Sequence, residues 1–423
     1  MTKNYHFNVL INKYVDLITK VGVNIQEKQY VFIQSPIICK KVVDLIVKKS
    51  YKLGAKKVYC IWENSIEELE KLFLKTKSKE KFSQYLEKFI KQYKKIVKKK
   101  GVFINILSPF YQHTKKTFTL SFDFIKYLKK KLNFFYRYII NLESQWTSII
   151  CPNPLWSSKI FPHYKQKDSL KKFWNILFEC CLINHNDDLL KAWNKHNKRI
   201  HDYTQKLNNL NLKTLFFKNS LGTNISVGLL KDHLWQGGRV KSKNNIYFNP
   251  NIPMEEVLSI PDNNKTYGTI VTTKPLVFYE QIIDNPLVIN FEKGKIVNFK
   301  SKNNYFKNFF QNLINFDQGS SFLGEIALVP FKCYMKKYNK ISFFETLIDE
   351  NSSCHLAIGN AYPATIKNGI MLNKESLIKK KVNFSTIHID IIFGSEDLSV
   401  EGICYKGKKI QIINKGVWSD IFI

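Results

Sequence analysis

Arginine is nearly missing from this 423-residue chain. Arg137, Arg199 and Arg239 are the only ones among 66 basic residues, so the other 63 are lysines. Against 34 acids this leaves a formal net charge of +32. Such an excess would ordinarily point to a polyanion ligand. Nucleic-acid readers favour the bidentate arginine fork, however, and its scarcity argues against base recognition. A chain rich in Lys, Asn, Ile and Phe but poor in Arg fits the drift of an AT-rich genome. No apolar run approaches the roughly 18 residues that a membrane helix needs. The start, Met1 to His6, lacks a basic region followed by an apolar one, so no secretory signal is expected. No CxxC pair occurs among Cys39, Cys60, Cys151, Cys180, Cys181, Cys333, Cys354 and Cys404. They read as free thiols, which points to the reducing cytoplasm. No glycine-rich loop follows the first expected strand; Gln34-Ser35-Pro36 stands there, which argues against a dinucleotide or P-loop site. There is no internal repeat and no long low-complexity linker.

What is present is a chain with ample core. Hydrophobic residues make up 44%, and 32 Phe, 21 Tyr and 7 Trp are too many rings for a disordered polymer. The length exceeds one ordinary domain. Helical periodicity over 8–21 stops at Gly22, and a second helix is expected over 40–53, before Gly54. Short apolar runs at 30–34, 58–62, 102–107 and 146–151 read as strands, with a charged helix over 65–99. This alternation predicts an α/β N-terminal domain with a mostly parallel sheet. Residues 168–208 read as helical. Beyond them come β-like runs at 214–218, 223–229, 268–273, 287–291 and 296–299. The second half is therefore expected to be α+β and strand-rich. The boundary falls near 205–212, giving domains at 1–208 and 209–423.

Chemistry-bearing residues concentrate in that second half. In the run Ser385 to Phe393, His388 and Asp390 share one strand face while Ile387, Ile389 and Ile391 take the other. A buried imidazole beside a carboxylate must be paired or metal-bound; a plain His–Asp hydrogen bond in the core is the alternative. Glu325 opens the apolar strand Leu323 to Pro330, or else faces water at its end. Asp349 and Glu350 precede His355 by six and five residues, in what could also be a polar loop. Pro253-Met254-Glu255-Glu256-Val257 is a weaker candidate, a doublet that often marks a solvated helix start. Together these donors are oxygen-rich, hold two imidazoles and require no thiolate. They suit Zn²⁺, Co²⁺ or Mn²⁺, and could serve two ions bridged by a carboxylate. Cys354 reads as a buried thiol beside His355. A two-metal phosphoesterase would need more Asp-rich and His-rich motifs than occur here.

At these residues the chain resembles the aminopeptidase T family of metallopeptidases, also called the aminopeptidase PepS family. The matching segments are Gly222 to Leu229, Asn251 to Val257, Leu323 to Pro330, Thr346 to Gly359 and His388 to Ser395. Lys20 to Gln26 and Trp156 to Pro162 resemble it too, so the likeness runs in order along nearly the whole chain. The resemblance implies an aminopeptidase with two divalent ions per subunit, acting on peptides with a free amino terminus, and a cytoplasmic homodimer. It places the metal ligands on Glu256, Glu325, Glu350, His355, His388 and Asp390, with Glu325 bridging. Glu256 is chosen over Glu255. Tyr362 falls on the family's active-site tyrosine, and Glu350 is a candidate proton shuttle. Residues 331–340 are basic and aromatic where relatives carry an acidic loop, Asn224 stands in place of Asp, and Glu345 in place of Asn. The runner-up expectation is a polyanion-binding protein on the same fold with weakened peptidase activity. Neither reading involves a membrane or a specific nucleic-acid sequence.

Overall fold

The computed structural model describes residues 2–63, 70, 73–74, 79–109, 121–279, 281–283 and 286–422. Two compact units are present. One comprises Met1–Asn197, Arg239–Pro253 and Tyr279–Gln281; the other comprises Lys198–Gly238, Met254–Phe278 and Ile282–Ile423.

The first unit follows the alternation legible in the sequence. Helix α1 (Thr2–Leu17) loosens into a π turn over Ile18–Gly22, so Gly22 marks the stop. Strand β1 (Tyr30–Pro36), helix α2 (Lys40–Lys52), strand β2 (Lys57–Glu63), strand β3 (Val102–Leu107) and strand β4 (Trp146–Ile150) then follow. The expected 65–99 helix falls partly outside the described residues; Lys79–Lys98 is helical. The sheet order is Asn251–Ile252, β4, β3, β1, β2, and every pairing is parallel. Strands covered on both faces must be apolar throughout. Val31, Phe32 and Ile33 on β1 and Val102 and Ile104 on β3 meet that demand, being buried almost completely. Each such side chain contributes about 1.5–3 kcal/mol on leaving water.

Helix starts here have local causes. The Asn153 side chain accepts from the Trp156 N–H at 2.9 Å, and Pro154 occupies the first turn of helix Pro154–Ile160. The stretch 168–208 is two helices, Gln166–Cys180 and Leu189–Leu210, instead of one. The break is built by polar residues. Leu182 adopts φ +57°, and the Asn184 carboxamide oxygen accepts from the N–H groups of Asn186 and Asp187. Asp188 then caps the next helix through the Leu190 and Lys191 N–H groups. Side chains that offer the backbone a turn outcompete continued helix.

The second unit carries two antiparallel sheets. The larger has eight strands in the order Lys295–Lys300, Val288–Glu292, Pro261–Val271, Asn224–Leu229, Leu212–Lys218, Ser399–Cys404, Lys409–Asn414, Val417–Trp418. Each of the five β-like runs read beyond residue 212 overlaps one of its strands. The smaller has five strands, ordered His388–Ile392, His355–Gly359, Leu323–Leu328, Val257–Ser259, Gln236–Gly237. Among the described residues no helix is long and apolar enough to cross a membrane.

Candidate metal centre

The five-stranded sheet brings the expected donors together by register. Ala357 on strand His355–Gly359 lies opposite Glu325 on one neighbour and Asp390 on the other. His355 pairs with Ala327 and Ile392, and Gly359 pairs with His388. Paired residues share a sheet face, so Glu325, His355, His388 and Asp390 project to the same side. On strand His355–Gly359 only the Ala357 methyl stands in register between Glu325 and Asp390. A bulge between Leu323 and Glu325 re-aims the carboxylate. Glu256 arrives just before strand Val257–Ser259, and Glu350 from a short 3₁₀ turn over Glu350–Ser352.

The side chains close into three overlapping groups: Glu256, Glu325 and His355; Glu325, His388 and Asp390; Glu350, His355 and Asp390. Within each group one ligand atom per residue lies within 4.8 Å of the others. His355 Nε2 is 3.2 Å from Glu256 and 3.6 Å from Glu325 Oε1. His388 Nε2 is 3.7 Å from Glu325 Oε2 and 3.4 Å from Asp390. Glu325 thus turns one oxygen to each imidazole. The rings are oriented from behind by main-chain carbonyls. His388 Nδ1 is 2.8 Å from the Asn360 oxygen, and His355 Nδ1 is 3.3 Å from that of Ser353. A proton held at Nδ1 leaves Nε2 as the free lone pair aimed into the cluster.

Electrostatics here reflects burial. Burial raises the Glu350 pKa well above the ordinary range, and the charges of Glu256 and Asp390 add to the rise. Glu325 is raised too, by burial, despite the imidazoles. Burial opposes charge on His388, but Asp390 and Glu325 outweigh it and push its pKa up to about 9. His355 rises well above its usual value because Glu256 and Glu325 overcome its burial. Asp390 is lowered, its burial outweighed by His388. The Tyr362 ring lies 4.9 Å from that of His388, and burial together with the surrounding carboxylates keeps its hydroxyl protonated.

These residues fit divalent cations. His355 Nε2 is buried and makes no hydrogen bond, and four carboxylates crowd two imidazoles in one spot. Bare, such a cluster is costly; cations satisfy it. Oxygen and imidazole donors suit Zn²⁺, Co²⁺ or Mn²⁺. Cys354 stands apart from the three groups and donates to the Val329 carbonyl, a structural thiol.

Sequence reasoning passed over what stands behind the acids. Arg199 Nη2 lies 2.7 Å from both carboxylate oxygens of Glu255, which occupies that side chain while Glu256 faces the cluster. Burial pushes Glu255 up to about 7 even beside Arg199. Asp349 accepts from the N–H groups of Phe343 and Phe344 and lies 3.7 Å from the buried Lys274 ammonium. Two signals were in plain sight: the doublets Glu255-Glu256 and Asp349-Glu350, and the rarity of arginine.

Four carboxylates and two imidazoles gathered on a sheet in an α/β chain define a class, the metal-dependent hydrolases. The fold narrows this. Over 97% of this chain and 99% of the other, the structure superposes on wild-type AmpT from Thermus thermophilus with a TM-score of 0.81 and 25% identity. The chain belongs to the thermophilic metalloprotease (M29) family, whose description matches residues 7–418. It is 34% identical to Aminopeptidase 2 of Geobacillus stearothermophilus over 97% of both chains. It is 32% identical to Aminopeptidase AmpS of Bacillus subtilis (strain 168) over 98% of this chain and 99% of that one. Nothing in these matches supports the polyanion-binding alternative.

Proposed function

We propose that this protein is a metalloaminopeptidase that releases residues one at a time from the free amino end of peptides. The observation that carries the reading is the convergence of Glu256, Glu325, Glu350, His355, His388 and Asp390 on one face of one sheet. These six would hold two divalent cations, Zn²⁺, Co²⁺ or Mn²⁺, with Glu325 between them. Bound divalent cations supply two things, polarisation of the scissile carbonyl and a water that ionises near neutral pH.

The chain's own groups do the rest. The protonated Tyr362 hydroxyl donates to the oxygen that gains charge as the carbonyl is attacked. Glu350, whose buried carboxyl takes up a proton readily, passes it to the leaving nitrogen. The free α-amino group of an unblocked peptide would contact a bound cation or an acidic side chain, which is the basis for choosing its amino end. Residues 209–423 would form the catalytic domain and residues 1–208 the α/β domain. The protein would work in the cytoplasm as a homodimer. Cys60, Cys151, Cys181, Cys333, Cys354 and Cys404 are thiols outside any disulfide, which supports a reducing compartment.

The test pairs a peptide with its N-acetylated twin. Chelation should abolish hydrolysis of the free peptide, and Co²⁺, Zn²⁺ or Mn²⁺ should restore it. The acetylated twin should survive throughout. Full activity after exhaustive chelation, or equal cleavage of the twins, would sink the reading.

A further inference from the structure

Two acid doublets feed the metal centre, and each divides its labour in the same way. In Glu255-Glu256 the first acid binds Arg199 and the second faces the cluster. In Asp349-Glu350 the first acid lies beside Lys274 and the second faces the cluster. The two loops are also stapled to each other. The Glu255 N–H donates to the Asn351 side-chain oxygen, and Asn351 Nδ2 donates to the Leu347 carbonyl at 2.8 Å.

Lys274 is the less expected of the two bases. It is a lysine with a side chain only 5% exposed. Its ammonium donates to the carbonyls of Asn339, at 2.7 Å, and Ile341. The Asp349 carboxylate lies alongside at 3.7 Å, as an ion pair. Asp349 in turn holds the Phe343 and Phe344 N–H groups where Phe344 adopts φ +58°, a conformation that needs such support. A buried ammonium is expensive and is kept where its partners repay it.

From this arrangement we infer that Arg199 and Lys274 are positioning residues for the metal centre. Each anchors the acid next to a ligand, and so fixes the rotamer and the approach of Glu256 and Glu350. The inference rests on the metal-centre reading above. It assigns no new ligand. It states that cation affinity depends on two bases that touch neither cation nor substrate, in the way outer hydrogen-bond partners tune other metal sites.

The readout is Co²⁺ binding to the chelated, full-length protein by calorimetry, at a temperature where circular dichroism shows every variant folded. The variants are Arg199→Met, Lys274→Met, Glu255→Gln and Asp349→Asn. Where a methionine variant fails to fold, its near-isosteric acid-to-amide partner carries the test. Each folded variant should bind Co²⁺ at least about tenfold more weakly. A purely structural role would lower the unfolding midpoint and leave the affinity of the folded protein unchanged. Affinities within twofold of the parent in folded variants overturn the inference. Glu256→Gln and Glu350→Gln are measured alongside. If they too bind as the parent does, the metal-centre reading fails, and the positioning role with it.

Discussion

Glu325 offers its two oxygens to two different imidazoles, and no other acid in the cluster does so at the distances described. Glu325→Gln should therefore weaken both cations together and lower activity by orders of magnitude, with the fold intact. Glu345→Gln, an acid that starts the short helix Thr346–Asp349 through its main chain, should leave metal content unchanged. Metal stoichiometry on the purified variants decides this; two ions per subunit in Glu325→Gln would refute the bridging role. His388 makes a pH prediction. Its pKa in the cation-free protein, about 9, lies above the 6.5 of an unfolded chain. The stabilisation is then fully present below pH 6.5 and is lost as pH rises through 9. It amounts to roughly 3 kcal/mol at most. Glu325 and Glu350, raised as well, push in the same direction. The thermal midpoint of the chelated protein should fall from pH 6.5 to 9, while Co²⁺ affinity rises as the imidazole loses its competing proton. A midpoint that climbs over that range would contradict the assignment. At this scale the sequence was informative about types and positions of donors, because strand periodicity puts His388 and Asp390 on one face. It was silent on Arg199 and Lys274, because each reaches its acid across tens of residues of chain.

Among the elements, strand His355–Gly359 matters most for what it does not carry. Ala357 lies in register between Glu325 and Asp390. Ala357→Val would place two extra methyl groups between the donors. The cost in folding should be only about 1–3 kcal/mol, but Co²⁺ affinity should fall at least about tenfold, as calorimetry on the folded variant would read. Unchanged affinity would mean that the cations sit elsewhere. At the strand's end Gly359 adopts φ +99°, and an added Cβ would meet the Ile387 carbonyl oxygen at 2.2 Å. Gly359→Ala should thus destabilise by more than 1 kcal/mol, checked by denaturant midpoint. The four parallel strands and the five later β-like runs were legible because apolar runs between turn residues have few other uses. The helix pair at Gln166–Cys180 and Leu189–Leu210 was not. Its break depends on Asn184 and Asp188 turning their side chains onto the backbone, and periodicity alone cannot register that.

For the whole molecule the question is the charge of +32. The centre described above is built of acids, so the lysines lie outside the chemistry and need not reflect a ligand. DNA affinity should be weak, indifferent to sequence and steeply reduced by salt, because counterion release drives such binding. Tight sequence-specific binding near physiological salt would reverse this view. One lysine breaks the pattern. An acylating reagent would meet dozens of exposed ammonium groups, yet Lys274 is sealed in, with its proton held among carbonyls. Burial lowers its pKa only while it is enclosed, so once uncovered it reacts as an ordinary lysine amine. Its labelling therefore waits on opening of the surrounding structure and then proceeds like that of any exposed lysine. The slow labelling of one amine against a fast background gives a clock for how often this part of the molecule breathes, legible by mass spectrometry without any substrate.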